Sequence, residues 1–149
     1  MVQNDRILVT GAAGQLGRLV IAALLEHVPA GRIAAAVRSP AAAQDLAARG
    51  VELRKADYED PTSLDAALAG IGRLLLISSN AVGQRLPQQR NVVDAAARAN
   101  VGLIAYTSIL RADTNPMQLA VEACVRACDP LKPRCLRSES TRSTLRTSV

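Results

Sequence analysis

Short apolar runs alternate with amphipathic stretches along most of this chain. The apolar runs are rich in Val, Ile, Leu and Ala and predict five buried strands, at residues 7–9, 33–37, 51–53, 74–77 and 103–106. The stretches between them repeat apolar residues at helical spacing and predict four helices, over residues 15–27, 40–49, 61–69 and 86–100. This alternation predicts an α/β fold, a doubly wound parallel sheet in the order 3-2-1-4-5.

Capping signals mark the start of two helices. Ser39 precedes Pro40 and Asp60 precedes Pro61, so each pair predicts an N-cap residue followed by proline at the first helical position. The periodicity of the first helix also predicts which of its faces is buried. That face comprises Leu16, Leu19, Val20, Ala23 and Leu24.

The sequence ILVTGAAGQLG, at residues 7–17, joins the first strand to the first helix through a glycine-rich turn. Glycine allows a tight turn and the close approach of a ligand, and the helix start offers unpaired N–H groups and a positive dipole to an anion. We predict that this turn binds the pyrophosphate of a dinucleotide; a purely structural turn is the alternative. The predicted contact residues are Gly11, Ala12, Ala13, Gly14, Gln15, Leu16 and Gly17.

Polar residues follow the other strands at what would be the same rim of the sheet, where ligands of such folds bind. Asp57 is expected either to accept a hydrogen bond from an adenine amino group or to cap a helix or loop. Ser78 and Ser79 are expected either to line the path of the ribose and nicotinamide or to form a turn. The predicted rim residues are Arg38, Asp57, Ser78, Ser79, Asn80 and Tyr106.

The end of the second strand determines which cofactor is expected. NAD sites usually carry an acidic residue there, which binds the ribose hydroxyls. This chain has Val37, Arg38 and Ser39 instead. Because arginine can bind a 2′-phosphate in bidentate fashion, we predict NADPH rather than NADH; a solvated surface arginine is the alternative.

Tyr106 lies where a tyrosine acid would suit a dehydrogenase, but the lysine expected four residues later is absent, since position 110 is Leu. Reduction of ordinary carbonyls through a Tyr-Lys proton relay is therefore not supported. Hydride transfer to an easily reduced acceptor such as a quinone requires less, because it depends mainly on holding two rings face to face.

The amino-acid composition and the distribution of charge limit which partners and which cell compartment are expected for this chain. The 149 residues include no Phe or Trp and only two Tyr, which disfavours a base-stacking nucleic-acid surface. Residues 121–149 carry six Lys and Arg against three Asp and Glu, so more than half of the net charge of +5 lies there, together with all three cysteines. A nearly neutral body without cysteine fits a reducing cytosol. We expect a cytoplasmic protein without a signal sequence or membrane span.

Four segments of the chain resemble the NmrA-like atypical short-chain dehydrogenases and, more closely, the type 2 NAD(P)H:quinone oxidoreductases. These segments are TGAAGQLGRLVIAALL, AAVRSPAAAQDLAARGVELRKADYED, RLLLISSNAVGQRLPQQRNVVDAAARANVGLIAYTS and RADTNP. The resemblance implies that residues 11–16 bind the pyrophosphate, Arg38 the 2′-phosphate, and Ser79, Asn80 and Ala81 the nicotinamide side. Ala13 stands where the family usually has threonine, and Asn80 where it has serine.

The resemblance ends near residue 120, whereas the family continues into a smaller C-terminal substrate region. We expect residues 1–128 to form an incomplete cofactor-binding domain and residues 129–149 an irregular basic tail. Three interpretations of the tail compete: an arm for nucleic acid or anionic surfaces, a metal site at Cys124, Cys128 and Cys135, and translation out of frame after about residue 120. We favour the third. An uncovered fifth strand would leave an open edge that favours a homodimer or aggregation.

Two functions follow from this sequence. The first is hydride transfer from NADPH to a quinone-like acceptor, with this chain as the cofactor-binding part and the activity of the short form in question. The alternative is a non-catalytic NADP-binding sensor or regulator of the NmrA-like type. No residue of the chain is assigned a catalytic role, and no metal is expected.

Overall fold

The computed structural model describes residues 5–78 and 84–107, and the backbone of residues 134–138. The strands are Ile7–Val9 (β1), Ile33–Val37 (β2), Glu52–Lys55 (β3), Arg73–Leu76 (β4), Leu103–Thr107 (β5) and Arg134–Ser138 (β6). The helices are Gln15–Leu25 (α1), Gln44–Ala48 (α2), Pro61–Leu68 (α3) and Arg85–Arg98 (α4). All the strands pair in parallel, in the order β3-β2-β1-β4-β5-β6. The predicted order of the first five strands is confirmed.

The sheet is covered on both faces, which explains why β2 is buried along its whole length. One apolar core holds α1 and α2 against the sheet and includes Ile21 and Leu46. The opposite core holds α3 and α4 and includes Leu64 and Val92. Successive residues of a strand point to opposite faces, so β2 contributes Ile33, Ala35 and Val37 to the first core and Ala34 and Ala36 to the second.

Both predicted pairs of N-cap residue and proline begin a helix, but only Asp60 makes capping hydrogen bonds with its side chain. The Asp60 carboxylate accepts hydrogen bonds from the backbone N–H groups of Thr62 (3.0 Å) and Ser63 (3.3 Å) at the start of α3. Ser39 makes no such bond, and Pro40–Ala43 form a separate 3₁₀ helix before α2. The predicted continuous helix over residues 40–49 is therefore divided.

The predicted buried face of α1 is wrong in part. Gly17 and Ile21 are the buried residues of this helix, whereas Leu16 and Leu19 are 46% and 66% exposed. The helix is rotated from the expected orientation because Gly17, which has no side chain, lets the first turn of α1 lie directly against the preceding loop.

Strand β6 was not expected, because the residues from 129 onward show no strand periodicity. It pairs in parallel with β5 over its whole length, from Leu103 opposite Arg134 to Thr107 opposite Ser138. Parallel pairing uses backbone groups, so a strand can form at the edge of β5 without an alternating apolar pattern. The β5 edge is therefore paired, and β6 is the outermost strand on that side of the described sheet. The rest of the tail, with Cys124 and Cys128, lies outside the described residues.

Candidate functional site

A cavity of about 980 Å³ lies at the carboxyl ends of the strands, where β1 pairs with β2 on one side and β4 on the other. This is the position at which the strand order reverses and at which ligands of doubly wound sheets bind. Most of the predicted site residues line this cavity. They are Gly11, Ala12, Ala13, Gly14, Gln15, Leu16, Gly17, Arg38, Asp57 and Ser78.

The glycine turn between β1 and α1 depends on the absence of side chains at two positions. Gly11 has a φ of +59°, in the left-handed region that favours glycine. Its carbonyl accepts a hydrogen bond from the Gly14 N–H at 3.0 Å, which closes the turn. A Cβ on Gly17 would lie 2.4 Å from the Gly11 carbonyl oxygen and 2.6 Å from the Cα of Ala12. Helix α1 can therefore begin directly on the turn.

The start of α1 is open to the cavity. Its N-cap is Gly14, which has no side chain to bind the first N–H groups, and its first turn carries no acidic residue. Gln15, Leu16 and Gly17 of that turn line the cavity. Unpaired N–H groups and the positive end of the helix dipole give this wall the properties of an anion site.

Positive charge lies at the end of β2. Arg38 is exposed and lines the cavity together with Ser39, and the position that would hold the acidic residue of an NAD site has no carboxylate. Two carboxylates line the cavity elsewhere, at Asp57 and Glu59 after β3. The wall near β2 is thus suited to an anionic group.

Asp57 has a local role and also lies in the cavity wall. Its carboxylate accepts a hydrogen bond from the Glu59 N–H at 3.0 Å, and its own N–H donates to the Ser63 hydroxyl at 2.9 Å. These contacts fit the loop interpretation. Because a carboxylate can accept several hydrogen bonds, they leave Asp57 able to accept another from a ligand.

Tyr58 joins the loop after β3 to the end of β4. Its hydroxyl donates to the Ile77 carbonyl at 2.9 Å, and its own carbonyl accepts from the Asn91 side chain at 2.9 Å. Burial raises the pKa of Tyr58 to about 12, and a contact with the Thr10 hydroxyl opposes part of that shift. The phenol is therefore neutral and acts as a hydrogen-bond donor at ordinary pH.

Thr10 fixes the end of β1 to the end of β4. Its buried hydroxyl accepts a hydrogen bond from the Ile77 N–H at 2.9 Å and donates to the Leu75 carbonyl at 3.3 Å. Its backbone N–H donates to the same carbonyl at 3.0 Å. These bonds hold Gly11, which follows Thr10, next to the end of β4 on the other side of the cavity.

Ser78 and Thr107 connect the ends of β4 and β5 in a similar way. The Ser78 N–H donates to the Thr107 hydroxyl at 2.9 Å, and the Ser78 hydroxyl donates to the Thr107 carbonyl at 2.7 Å. Both residues line the cavity. The predicted neighbours Ser79, Asn80 and Ala81 lie outside the described residues.

Tyr106 does not line the cavity. It is 4% exposed and lies in the core beneath α3 and α4, whereas the next residue, Thr107, lines the cavity. The alternation of side chains along β5 places these two residues on opposite faces, and this period-two pattern could have distinguished them in the sequence.

Five other polar residues of the cavity wall were not among the predicted site residues. Arg85 and Gln88 belong to the first turn of α4. Arg85 could have been identified in the sequence as a cation at the start of the helix that follows a central strand. The five residues are Ser39, Tyr58, Glu59, Arg85 and Gln88.

Within residues 5–78 and 84–107, no three His, Cys, Asp or Glu side chains are grouped so that they could hold a metal ion. Over the same part of the chain, no helix is long and apolar enough to cross a membrane.

Comparison with known proteins identifies a family and several relatives that this chain resembles. The sequence profile of the NmrA-like family matches residues 3–122. Quinone oxidoreductase 2 of Escherichia coli (strain K12) is 58% identical over 116 residues, a match that covers 78% of this chain and 41% of that protein. The chain therefore spans about two fifths of the length of this relative.

Solved structures of related proteins also match the fold of this chain. The NADPH complex of an NADPH-dependent quinone oxidoreductase from E. coli matches with a TM-score of 0.79 and 51% identity, over 83% of this chain and 45% of that one. Triphenylmethane reductase from Citrobacter sp., complexed with NADP(H), matches with a TM-score of 0.79 and 43% identity, over 83% and 46%. The fold is thus the Rossmann-like fold of NAD(P)-binding proteins.

Proposed function

Because this chain belongs to the NmrA-like family, we propose that it is the cofactor-binding part of an oxidoreductase that uses NADPH to reduce a quinone-like acceptor. The observation that carries the proposal is the composition of one cavity wall, where the glycine turn, the open start of α1 and Arg38 lie together. The two similar structures with bound NADPH and NADP(H) support the choice of cofactor.

Different parts of the cavity lining suit different parts of NADPH. The N–H groups at the start of α1 would bind the pyrophosphate, which the glycine turn allows to approach the backbone. Arg38 would bind the 2′-phosphate, since a guanidinium makes two parallel hydrogen bonds to such a group. Asp57 would accept a hydrogen bond from the adenine amino group.

NADPH supplies the hydride when it is bound, so the chain has to position the cofactor and its acceptor. Ser78 and Thr107 would border the nicotinamide side, with Ser79, Asn80 and Ala81 following in the chain. Reduction of a quinone depends less on a proton relay from the protein than reduction of an ordinary carbonyl does. This agrees with Leu at position 110, where the lysine of such a relay would lie. The relative that is 58% identical is named a quinone oxidoreductase, which supports this class of acceptor.

The test is to measure NADPH consumption by the purified chain with and without 1,4-benzoquinone, next to direct measurement of NADPH binding. Oxidation that depends on the quinone and is weakened by Arg38→Ala supports the proposal. The control is Arg49→Ala, which removes another exposed arginine that does not line the cavity. Quinone-dependent oxidation would rule against the sensor function, and failure to bind NADPH would contradict both functions.

A further inference from the structure

We propose that Arg18 is a positioning residue that couples the pyrophosphate side of the cavity to the side for the 2′-phosphate. The inference deepens the proposed function and rests on it. Arg18 lies on α1 and does not line the cavity, so it would act on the cofactor through other residues.

The Arg18 guanidinium joins three separate pieces of the chain. Its Nε donates to the Ala13 carbonyl at 3.1 Å, and its Nη2 donates to the Ala42 carbonyl at 3.1 Å. Its Nη1 makes an ion pair with the Asp45 carboxylate on α2. One side chain thus links the glycine turn, the 3₁₀ helix after β2 and the helix that follows.

Two of these contacts fix walls of the cavity. Ala13 and Ala42 both line it, yet neither has a polar side chain with which to hold the other. Ala42 belongs to the segment that continues directly from Arg38 and Ser39. A backbone hydrogen bond from the Ala12 N–H to the Ala36 carbonyl, at 3.3 Å, joins the turn to β2, and Arg18 extends this connection to the segment that follows Arg38.

The role depends on shape more than on charge. The Arg18 side chain is 36% exposed, so its ion pair with Asp45 contributes little to stability by itself. A guanidinium presents donors in a fixed planar fork, which allows one group to reach three acceptors. A lysine ammonium keeps the charge but lacks that fork. Replacement by lysine therefore separates positioning from simple attraction of phosphate.

A residue that acts through the Arg38 segment should affect NADPH more than NADH, although it touches neither. Its effect should also depend on Arg38. Once Arg38 is removed, the 2′-phosphate has lost its partner, and a correctly placed segment brings no further advantage. A residue that only stabilises the fold would weaken both cofactors to the same extent.

The experiment is a double-mutant cycle with Arg18→Ala, Arg38→Ala and the double variant, in which the Kd values for NADPH and NADH are measured by calorimetry. Arg18→Ala should raise the Kd for NADPH about three- to tenfold, the effect of losing one or two hydrogen bonds, and that for NADH less. In the Arg38→Ala background, adding Arg18→Ala should raise the Kd for NADPH only by the factor by which it raises the Kd for NADH. The control, Arg32→Ala, breaks an ion pair with Asp5 away from the cavity and should change neither Kd.

Arg18→Lys should show the same selective loss, and it replaces the alanine variant in the cycle if that variant does not fold. Equal losses of NADPH and NADH, full additivity with Arg38→Ala, or complete rescue by lysine would each overturn the positioning role. Those outcomes would leave the proposed function intact. If the unmodified chain binds no NADPH, the proposed function itself fails, and this inference fails with it.

Discussion

A Cβ atom on Gly17 would lie 2.4 Å from the carbonyl oxygen of Gly11, because the first turn of α1 is packed directly on the glycine turn. Gly17→Ala should therefore shift the helix away from the turn and lower the free energy of unfolding by about 1–3 kcal/mol, as overpacking typically does. The displaced helix start should also bind NADPH more weakly. Thermal unfolding and calorimetric titration measure the two effects.

Gly31→Ala is the matched control, since a Cβ there meets nothing within 4 Å and Gly31 lies outside the cavity lining. It should leave stability within about 0.5 kcal/mol of the unmodified chain. Equal stability of the two variants would show that α1 does not pack on the turn as described.

Thr10→Val tests the connection between β1 and β4. Valine has nearly the shape of threonine but leaves the Ile77 N–H without the hydroxyl that accepts its hydrogen bond. We expect a loss of about 1–3 kcal/mol in the free energy of unfolding, measured by chemical denaturation. Thr10→Ser keeps the hydroxyl and should cost less. A larger loss for serine than for valine would contradict the role of this hydrogen bond.

Tyr58 predicts a stability change at alkaline pH. Burial raises the pKa of Tyr58 to about 12, from 10.0. The unfolded chain therefore loses this proton first, and the stabilisation is fully present below pH 10 and declines as the pH rises towards 12, by up to about 1.4 kcal/mol per pH unit. Tyr58→Phe should remove this decline. The measurement is the free energy of unfolding by denaturant, between pH 10 and 12, for the unmodified chain and for Tyr58→Phe. If the phenol is not buried as described, this free energy will change with pH in the same way for both proteins.

The arrangement of the sheet could be predicted because each strand carries its own local signal. The run IAAAV at residues 33–37 is buried on both faces, and the glycine turn follows β1 at once, so period and turn chemistry agree. β6 carries no such signal. Its pairing with β5 depends on the backbone edge of a strand about 30 residues earlier, which a local pattern does not contain.

Side-chain orientation was harder to predict than element type. Leu16 and Leu19 have helical spacing with Val20 and Leu24, but the contact of Gly17 with the turn decides which side of α1 faces the sheet. The role of Arg18 was not predictable for the same reason, because its acceptor at Ala42 lies 24 residues away in sequence. Local periodicity does not report such tertiary contacts.

The central claim is that the cavity binds NADPH and that Arg38 recognises its 2′-phosphate. The most direct measurement is calorimetric titration of the unmodified chain and of Arg38→Ala with NADPH and NADH. The unmodified chain should bind NADPH more tightly, and Arg38→Ala should weaken NADPH relative to NADH by about 1–3 kcal/mol, the value of a charge-assisted contact. An unchanged preference between the two cofactors would contradict the claim.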